Sequence, residues 1–141
     1  MATVNLTKIV SSNSSFSSNC AVVTEVRVVK MADVTAEKGS AAAAADVVQL
    51  FPVVKGDIIL SARCISKVAG TVTATFGDGS DVDGLIAAID SAATAGTAPY
   101  AILGGKAYAA ADTLDLVLGG TVAGTEELII VIERLSVAHL L

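Results

Sequence analysis

Asp57-Ile-Ile-Leu-Ser-Ala-Arg-Cys-Ile-Ser-Lys-Val68, a break at Ala69-Gly70, then Thr71-Val-Thr-Ala-Thr-Phe76 is the run whose reading decides the fold. Ile58, Leu60, Ala62, Cys64 and Val68 share one face of the first half, and Ser61, Arg63 and Lys67 share the other. In the second half Val72, Ala74 and Phe76 alternate with three threonines. Alternation with a period of two is the signature of a half-buried strand. Two such runs around a small-residue turn predict a β-hairpin with Cys64 inside and the charges outside.

The same pattern extends in both directions. Upstream, residues 47–54 read as a strand interrupted by Pro52, which lacks a ladder donor and so belongs at an edge or a bulge. Lys55-Gly56-Asp57 is a turn. Residues 21–30 carry Val22, Thr24, Val26 and Val28 on one face and Val23, Glu25, Arg27 and Val29 on the other, which is the wetter one. Residues 31–46, with Gly39, Ser40 and a run of five alanines, read as a connector, a short helical turn over 41–45 being the alternative. Downstream, residues 77–84 form a polar loop, and residues 85–90 fit either one or two helical turns or a short strand. Residues 91–99 are small, and residues 101–111 show no clear period. Residues 113–118 place Leu114, Leu116 and Leu118 on one face, and Gly-rich residues 119–124 turn the chain. Residues 126–135 are apolar on both faces, as expected of a strand in the middle of a sheet or against a neighbouring subunit. About seven short strands with Gly-rich turns predict an all-β chain folded as an antiparallel β-sandwich, of which a jelly roll is one form.

Residues 1–20 read as an N-terminal arm and residues 21–141 as the β-sandwich domain. Ser11 to Asn19 is a Ser/Asn run whose side chains compete for their own backbone, so it reads as loop, with Phe16 as its anchor. Val4, Leu6, Ile9 and Val10 are further anchors, and the arm is expected to order only against a neighbouring copy or the surface on which the protein assembles. The alternative is a regular strand over residues 5–10 of the same sandwich.

Composition narrows the function. The 141 residues are 53% apolar and 16% charged, against about 25% charged in an average domain, which excludes a disordered chain. A net charge of −5 argues against nucleic-acid binding. Mean hydropathy is +0.72, yet no apolar run reaches the roughly 18–20 residues of a membrane span. The hydropathy comes from Ala and Val, and with no Trp the core must be built from small aliphatics. Cys20 and Cys64 match no metal-ligand spacing and read as small core residues, although one disulfide is open in principle. The N-terminus lacks the basic and apolar regions of a signal peptide, so the chain is expected in a reducing cytoplasm until it assembles elsewhere. Asn5-Leu-Thr7 and Asn13-Ser-Ser15 fit the glycosylation pattern by chance.

The chemical inventory is thin. Asp78, Asp81 and Asp83, with Asp90 nearby, are the densest carboxylate patch. The spacing fails the EF-hand pattern, because Ser80 and Val82 stand where acids are needed and no Glu closes the loop. A turn using Asx geometry is the simpler reading, with a bound cation as the alternative. His139 sits in an apolar tail without an orienting partner, and the serine run offers hydroxyls without a base. Arg27, Arg63, Lys67 and Arg134 are scattered on strand faces and form no basic patch. No residue is assigned a catalytic, cofactor-binding or metal-ligating role.

Residues 48–60 (Val-Gln-Leu-Phe-Pro-Val-Val-Lys-Gly-Asp-Ile-Ile-Leu) and 71–85 (Thr-Val-Thr-Ala-Thr-Phe-Gly-Asp-Gly-Ser-Asp-Val-Asp-Gly-Leu) resemble recurring stretches of small virion proteins of tailed bacteriophages. The similarity continues through residues 107–118, with Tyr108 and Asp112-Thr113, and through Gly124 to Glu133. It covers residues 31–135 and consists largely of turn motifs between strands. The resemblance implies a non-enzymatic virion structural protein, a decoration or cement protein on the capsid surface. Its implied partners are the major capsid protein and further copies of itself, with a trimer as the expected homo-oligomer, and neither nucleic acid nor membrane. A receptor- or carbohydrate-binding module of a phage fibre or tail is the alternative. Against it stands the absence of Trp, since sugar platforms use aromatic faces. A metal-dependent enzyme ranks third.

Overall fold

The computed structural model describes residues 1–7, 22–92 and 105–136, together with the backbone of residues 12–16. Along the chain run β1 (Thr3–Asn5), β2 (Ser12–Phe16), β3 (Val22–Lys30), α1 (Met31–Lys38), β4 (Val47–Val53), β5 (Ile58–Val68), β6 (Val72–Asp78), β7 (Ile86–Asp90), β8 (Lys106–Ala107), β9 (Asp112–Gly120) and β10 (Glu127–Leu135). They form two five-stranded sheets, β1-β4-β9-β6-β7 (sheet A) and β2-β3-β10-β5-β8 (sheet B). All pairings are antiparallel except β1 on β4, and the two sheets pack as the β-sandwich that the alternation predicts.

Between the sheets lies one aliphatic core. Sheet A contributes Val48, Val72, Ala74, Phe76, Leu114, Leu116 and Leu118, and sheet B contributes Val29, Ile59, Ala62, Cys64, Leu128, Ile130 and Ile132. Burying a side chain of the Val, Leu, Ile or Phe type is worth about 1.5–3 kcal/mol, so this interior is the main source of stability. Phe51 and Phe76 meet edge to face at 6.2 Å. Cys64 is a free thiol, and burial pushes its pKa up to about 12, which keeps it inert. Strand β10 pairs along its whole length with β3 on one side and β5 on the other, the central place that its two-sided apolar pattern predicts. Pro52 is exposed beside a bulge at Gln49/Phe51, beyond the point where β1 stops pairing with β4.

Several expectations are corrected. β5 and β6 are not a hairpin: β5 pairs with β10 and β8 in sheet B, and β6 pairs with β9 and β7 in sheet A. The chain crosses between sheets at residues 69–71 because the Glu126 carboxylate fills the bend. It accepts Thr71 N at 3.3 Å, Ala123 N at 2.9 Å and Gly124 N at 2.8 Å. A Cβ on Gly70 would collide with the Glu126 side chain, so only glycine passes there. A bulge at Leu60 shifts the register of β5, so that Ile59 is fully buried in place of Ile58 and Leu60, and a second one at Lys67 leaves Val68 exposed. On β3 the alternation holds but the faces are reversed. Glu25 and Arg27 point inward with Val23 and Val29, because each finds a partner there. Arg134 Nε lies 2.7 Å from Glu25, and the Arg27 guanidinium stacks 4.8 Å over the Phe51 ring.

The connector over residues 31–46 contains a helix. α1 buries Met31 and Val34 and carries Asp33 in its first turn and Lys38 in its last, matching the helix dipole. The alanines 41–45 are not helical. Residues 86–90 are strand, which settles that alternative. The serine run supplies an edge strand, β2 pairing with β3, since an edge needs only backbone donors and acceptors. The N-terminal residues also belong to the sandwich itself: Val4 and Leu6 sit in the core, Leu6 N donates to Gln49 O, and Ala2 N donates to Asp46. The readings on Cys20, on most of residues 91–104 and on the tail with His139 fall outside the described residues.

Leu6 therefore tests whether the first strand stabilises the subunit. Leu6→Ala should lower the unfolding free energy by about 2–5 kcal/mol, the usual cost of a large-to-small core substitution. Urea denaturation of the isolated protein measures it. A change below about 0.5 kcal/mol, the level of a surface substitution, would show that the segment stabilises only an assembly.

Candidate functional site

The aspartate loop begins inside the molecule. Asp78 ends β6 with its carboxylate buried between the sheets. It accepts Tyr108 OH at 2.9 Å, Ser80 N at 3.0 Å, Ser80 Oγ at 2.8 Å and Asp81 N at 2.9 Å. Lys106 Nζ lies 2.6 Å from Asp78 and 3.8 Å from Asp81. Lys106 belongs to β8, the edge of sheet B, and Tyr108 follows it. One carboxylate thus joins the two sheets at this end of the sandwich. The loop folds back so tightly that a Cβ on Gly77 would collide with the Asp81 carbonyl oxygen.

The electrostatics follow from this packing. Burial alone would raise the pKa of Asp78, but the hydrogen bonds from Lys106, Ser80 and Tyr108 outweigh it and hold the carboxyl well below its usual range. Tyr108 moves the opposite way: burial and the adjacent Asp78 charge push its phenol far up. Asp81, Asp83 and Asp90 are exposed, and of these Asp81 shares the Lys106 ammonium with Asp78. Asp90 caps its own turn by accepting Ala92 N at 2.9 Å. Among the described residues no group of three or more His, Cys, Asp or Glu side chains is placed to hold a metal ion. At Asp78 and Asp81 the positive charge comes from the Lys106 ammonium.

Three other buried carboxylates organise loops in the same way. Asp46 accepts Ala2 N at 3.1 Å, Ala43 N at 2.9 Å and Lys38 Nζ at 2.7 Å. Asp57 accepts Val54 N at 3.0 Å and faces Arg134 at 3.4 Å, while Arg134 also donates to Pro52 O at 2.7 Å. Glu126 holds the crossing between β5 and β6. Burial opposes ionisation of Asp46 and Glu126, but their donors prevail and both pKa values are lowered.

Asp115 is different, and sequence reasoning missed it. It sits on the outward face of β9 opposite Gly77 and Gln49, yet it is buried. Its Oδ1 has no hydrogen-bond partner among the described residues. Burial pushes its pKa up, a hydrogen bond from Thr113 opposes this, and the charges of Asp112 and Asp78 add to the rise. The alternation Leu114-Asp115-Leu116 marks the residue as outward, and nothing local signals that the 81–83 backbone closes over the neighbouring Gly77.

The outward face of sheet A carries an open depression of about 470 Å³ whose lining includes Thr73, Thr75, Ala87, Ala88, Val117 and the exposed Asp90. Of the four scattered cations, Arg27 and Arg134 are buried, and Lys67 is exposed and pairs with Glu127 at 3.0 Å. Arg63 is exposed on sheet B. No family model matches the chain, and no curated protein or solved structure is significantly similar to it.

The two aspartates should respond oppositely to substitution. Asp78→Ala leaves Lys106, Tyr108 and the loop donors without their acceptor, and should cost about 3–5 kcal/mol, as breaking a buried pair does. Because the folded pKa of Asp78 is depressed, its contribution is present above its unfolded pKa of about 4 and is lost as pH falls through the lower folded value. The deficit of the variant should therefore shrink in acid, as thermal melts across pH would report. Asp115 has a raised folded pKa, so its contribution is favourable at low pH and is lost as pH rises through the folded value. Asp115→Asn should accordingly raise the melting temperature at neutral pH and bring little gain near pH 3. An equal gain at both pH values would dismiss the titration of Asp115 as the cause.

Proposed function

We propose that this chain is a non-enzymatic structural protein of a tailed-phage virion, a decoration or cement protein that binds the assembled head through the major capsid protein. The observation that carries this reading is the open depression on the outward face of sheet A, lined by Thr, Ala, Val and Gly with Asp90 as its one charged residue. Such residues lose little rotamer freedom on docking, which suits a flat contact repeated many times. The carboxylates with the most partners support it too, because Asp46, Asp78 and Glu126 are engaged in holding loops. The likeness of residues 48–60, 71–85 and 107–118 to small phage virion proteins points the same way.

A cement protein binds the assembled shell better than separate subunits, and so stabilises the particle by mass action. Many weak contacts on a symmetric surface add through multivalency. The protein is made in the host cytoplasm and resides on the capsid surface.

Shells lacking the protein should assemble but burst at a lower temperature, and adding purified protein should restore stability in a saturable way. Light scattering during a thermal ramp, with gel stoichiometry of the recovered particles, reads both effects. Unchanged shell stability together with lost attachment to host cells would replace the proposal by a receptor-binding role.

A further inference from the structure

Two of the nine aspartates stand directly before a glycine, Asp78-Gly79 and Asp83-Gly84, and one loop holds both pairs. The other seven precede Val, Ile, Ser, Thr or Leu, whose side chains crowd the following amide. With no Cβ on the next residue, its backbone nitrogen can swing onto the aspartate Cγ. A five-membered imide then forms: the nitrogen bonds to Cγ, and the carboxyl OH leaves with the amide proton as water. Water re-enters at either ring carbonyl. Attack at Cγ restores aspartate, whereas attack at the α-carbonyl breaks its bond to nitrogen and leaves isoaspartate, with the chain running through Cβ and Cγ. One water leaves and one returns, so the mass is unchanged and nothing else is consumed.

The fold treats the two pairs in opposite ways. Asp78 Oδ1 accepts Ser80 N, Ser80 Oγ and Asp81 N, while Oδ2 accepts Tyr108 OH and meets Lys106 Nζ. These contacts hold the carboxylate ionised, which makes it a poor electrophile, and block the rotation that attack requires. Asp83 is exposed, and its side chain has no hydrogen bond or ion pair among the described residues. Gly84 N is held by one bond, to Asp81 O at 3.2 Å, at the long end of the usual range, and loop bonds of this kind open locally. Glycine belongs at this position, because a Cβ on Gly84 would run into the Asp81 carboxylate where it stands.

The product would reshape the loop. Isoaspartate adds one atom to the backbone between residues 83 and 84. Asp81 O there accepts both Asp78 N at 3.0 Å and Gly84 N, and Leu85 N donates to Phe76 O at 3.0 Å. The 81–83 backbone lies against Gly77, whose register partner is the buried Asp115. A lengthened link cannot hold both ends of this turn in place. We infer that Asp83-Gly84 isomerises spontaneously in the folded protein while Asp78-Gly79 is protected, and that the product unseats the loop beside Asp115. The reaction needs only water and is independent of attachment to a phage head.

Ageing the full chain in buffer made with H₂¹⁸O tests this, because each ring opening installs one heavy oxygen. Digestion and fragmentation mass spectrometry should place the label and the isoaspartate at residue 83, at least tenfold above residue 78. In urea that unfolds the chain, the two residues should react at comparable rates. Asp83→Glu, which would need a larger ring, should stay unlabelled at residue 83 and start with the wild-type melting temperature. After ageing, the wild type should melt lower than the aged variant. A folded chain without label at residue 83, or with equal label at residues 78 and 83, would overturn the inference. So would an equal loss of thermal stability in the aged wild type and the aged Asp83→Glu variant.

Discussion

Backbone N–H groups where a sandwich turns or changes sheets have no strand to pair with, and each one buried without an acceptor costs about 1–3 kcal/mol. In this chain carboxylates meet that constraint. Glu126 takes three such donors where the chain passes from sheet B to sheet A, and Asp46 takes two beside the N-terminal strand. Asp78 takes two from its own loop while it binds Lys106 and Tyr108 across the gap between the sheets. The aliphatic interior pulls the sheets together without direction. The carboxylates determine which loop closes over which edge. A low charged fraction is therefore no sign of weak electrostatics, since the most engaged acids are buried where the dielectric is low.

The same economy of side chains divides inside from outside. Phe51, Phe76 and Tyr108 are the aromatics of the core, and most of the remaining volume is filled by Val, Leu, Ile and Ala. Outward, sheet A carries threonines and small residues with Val117 and Asp90, and sheet B carries valine and isoleucine with Arg63, Lys67, Glu127 and Glu133.

Strands were legible wherever a leucine or valine alternation ran unbroken, as in β9 and β10, because burial of one face is a local property of period two. Their partners were not. The run over residues 57–76 has every local mark of a hairpin, and its separation into two sheets depends on Glu126, which stands fifty residues further on. The inward turn of β3 was hidden for a related reason: Glu25 and Arg27 are buried because Arg134 and Phe51, distant in sequence, receive them. Helix α1 is too short to show a period against its β-rich surroundings, and β2 is a strand through its backbone alone. At the aspartate loop the turn chemistry of residues 77–84 was readable. Lys106 and Tyr108, in a stretch without periodicity, and the covered Asp115 became visible only in three dimensions.

The central position of β10 bears on how the molecule comes to exist. Residue 30 pairs with residue 127, and residue 68 pairs with the same strand, so sheet B closes only after almost the whole described chain is available. Until then β3 and β5 each present an unpaired apolar edge, the kind of surface that recruits strands from other chains. Closure over such sequence distances is slow. The interval before the last strand arrives is therefore when a chaperone has most to protect, and a partly synthesised chain is more prone to aggregate than the finished one.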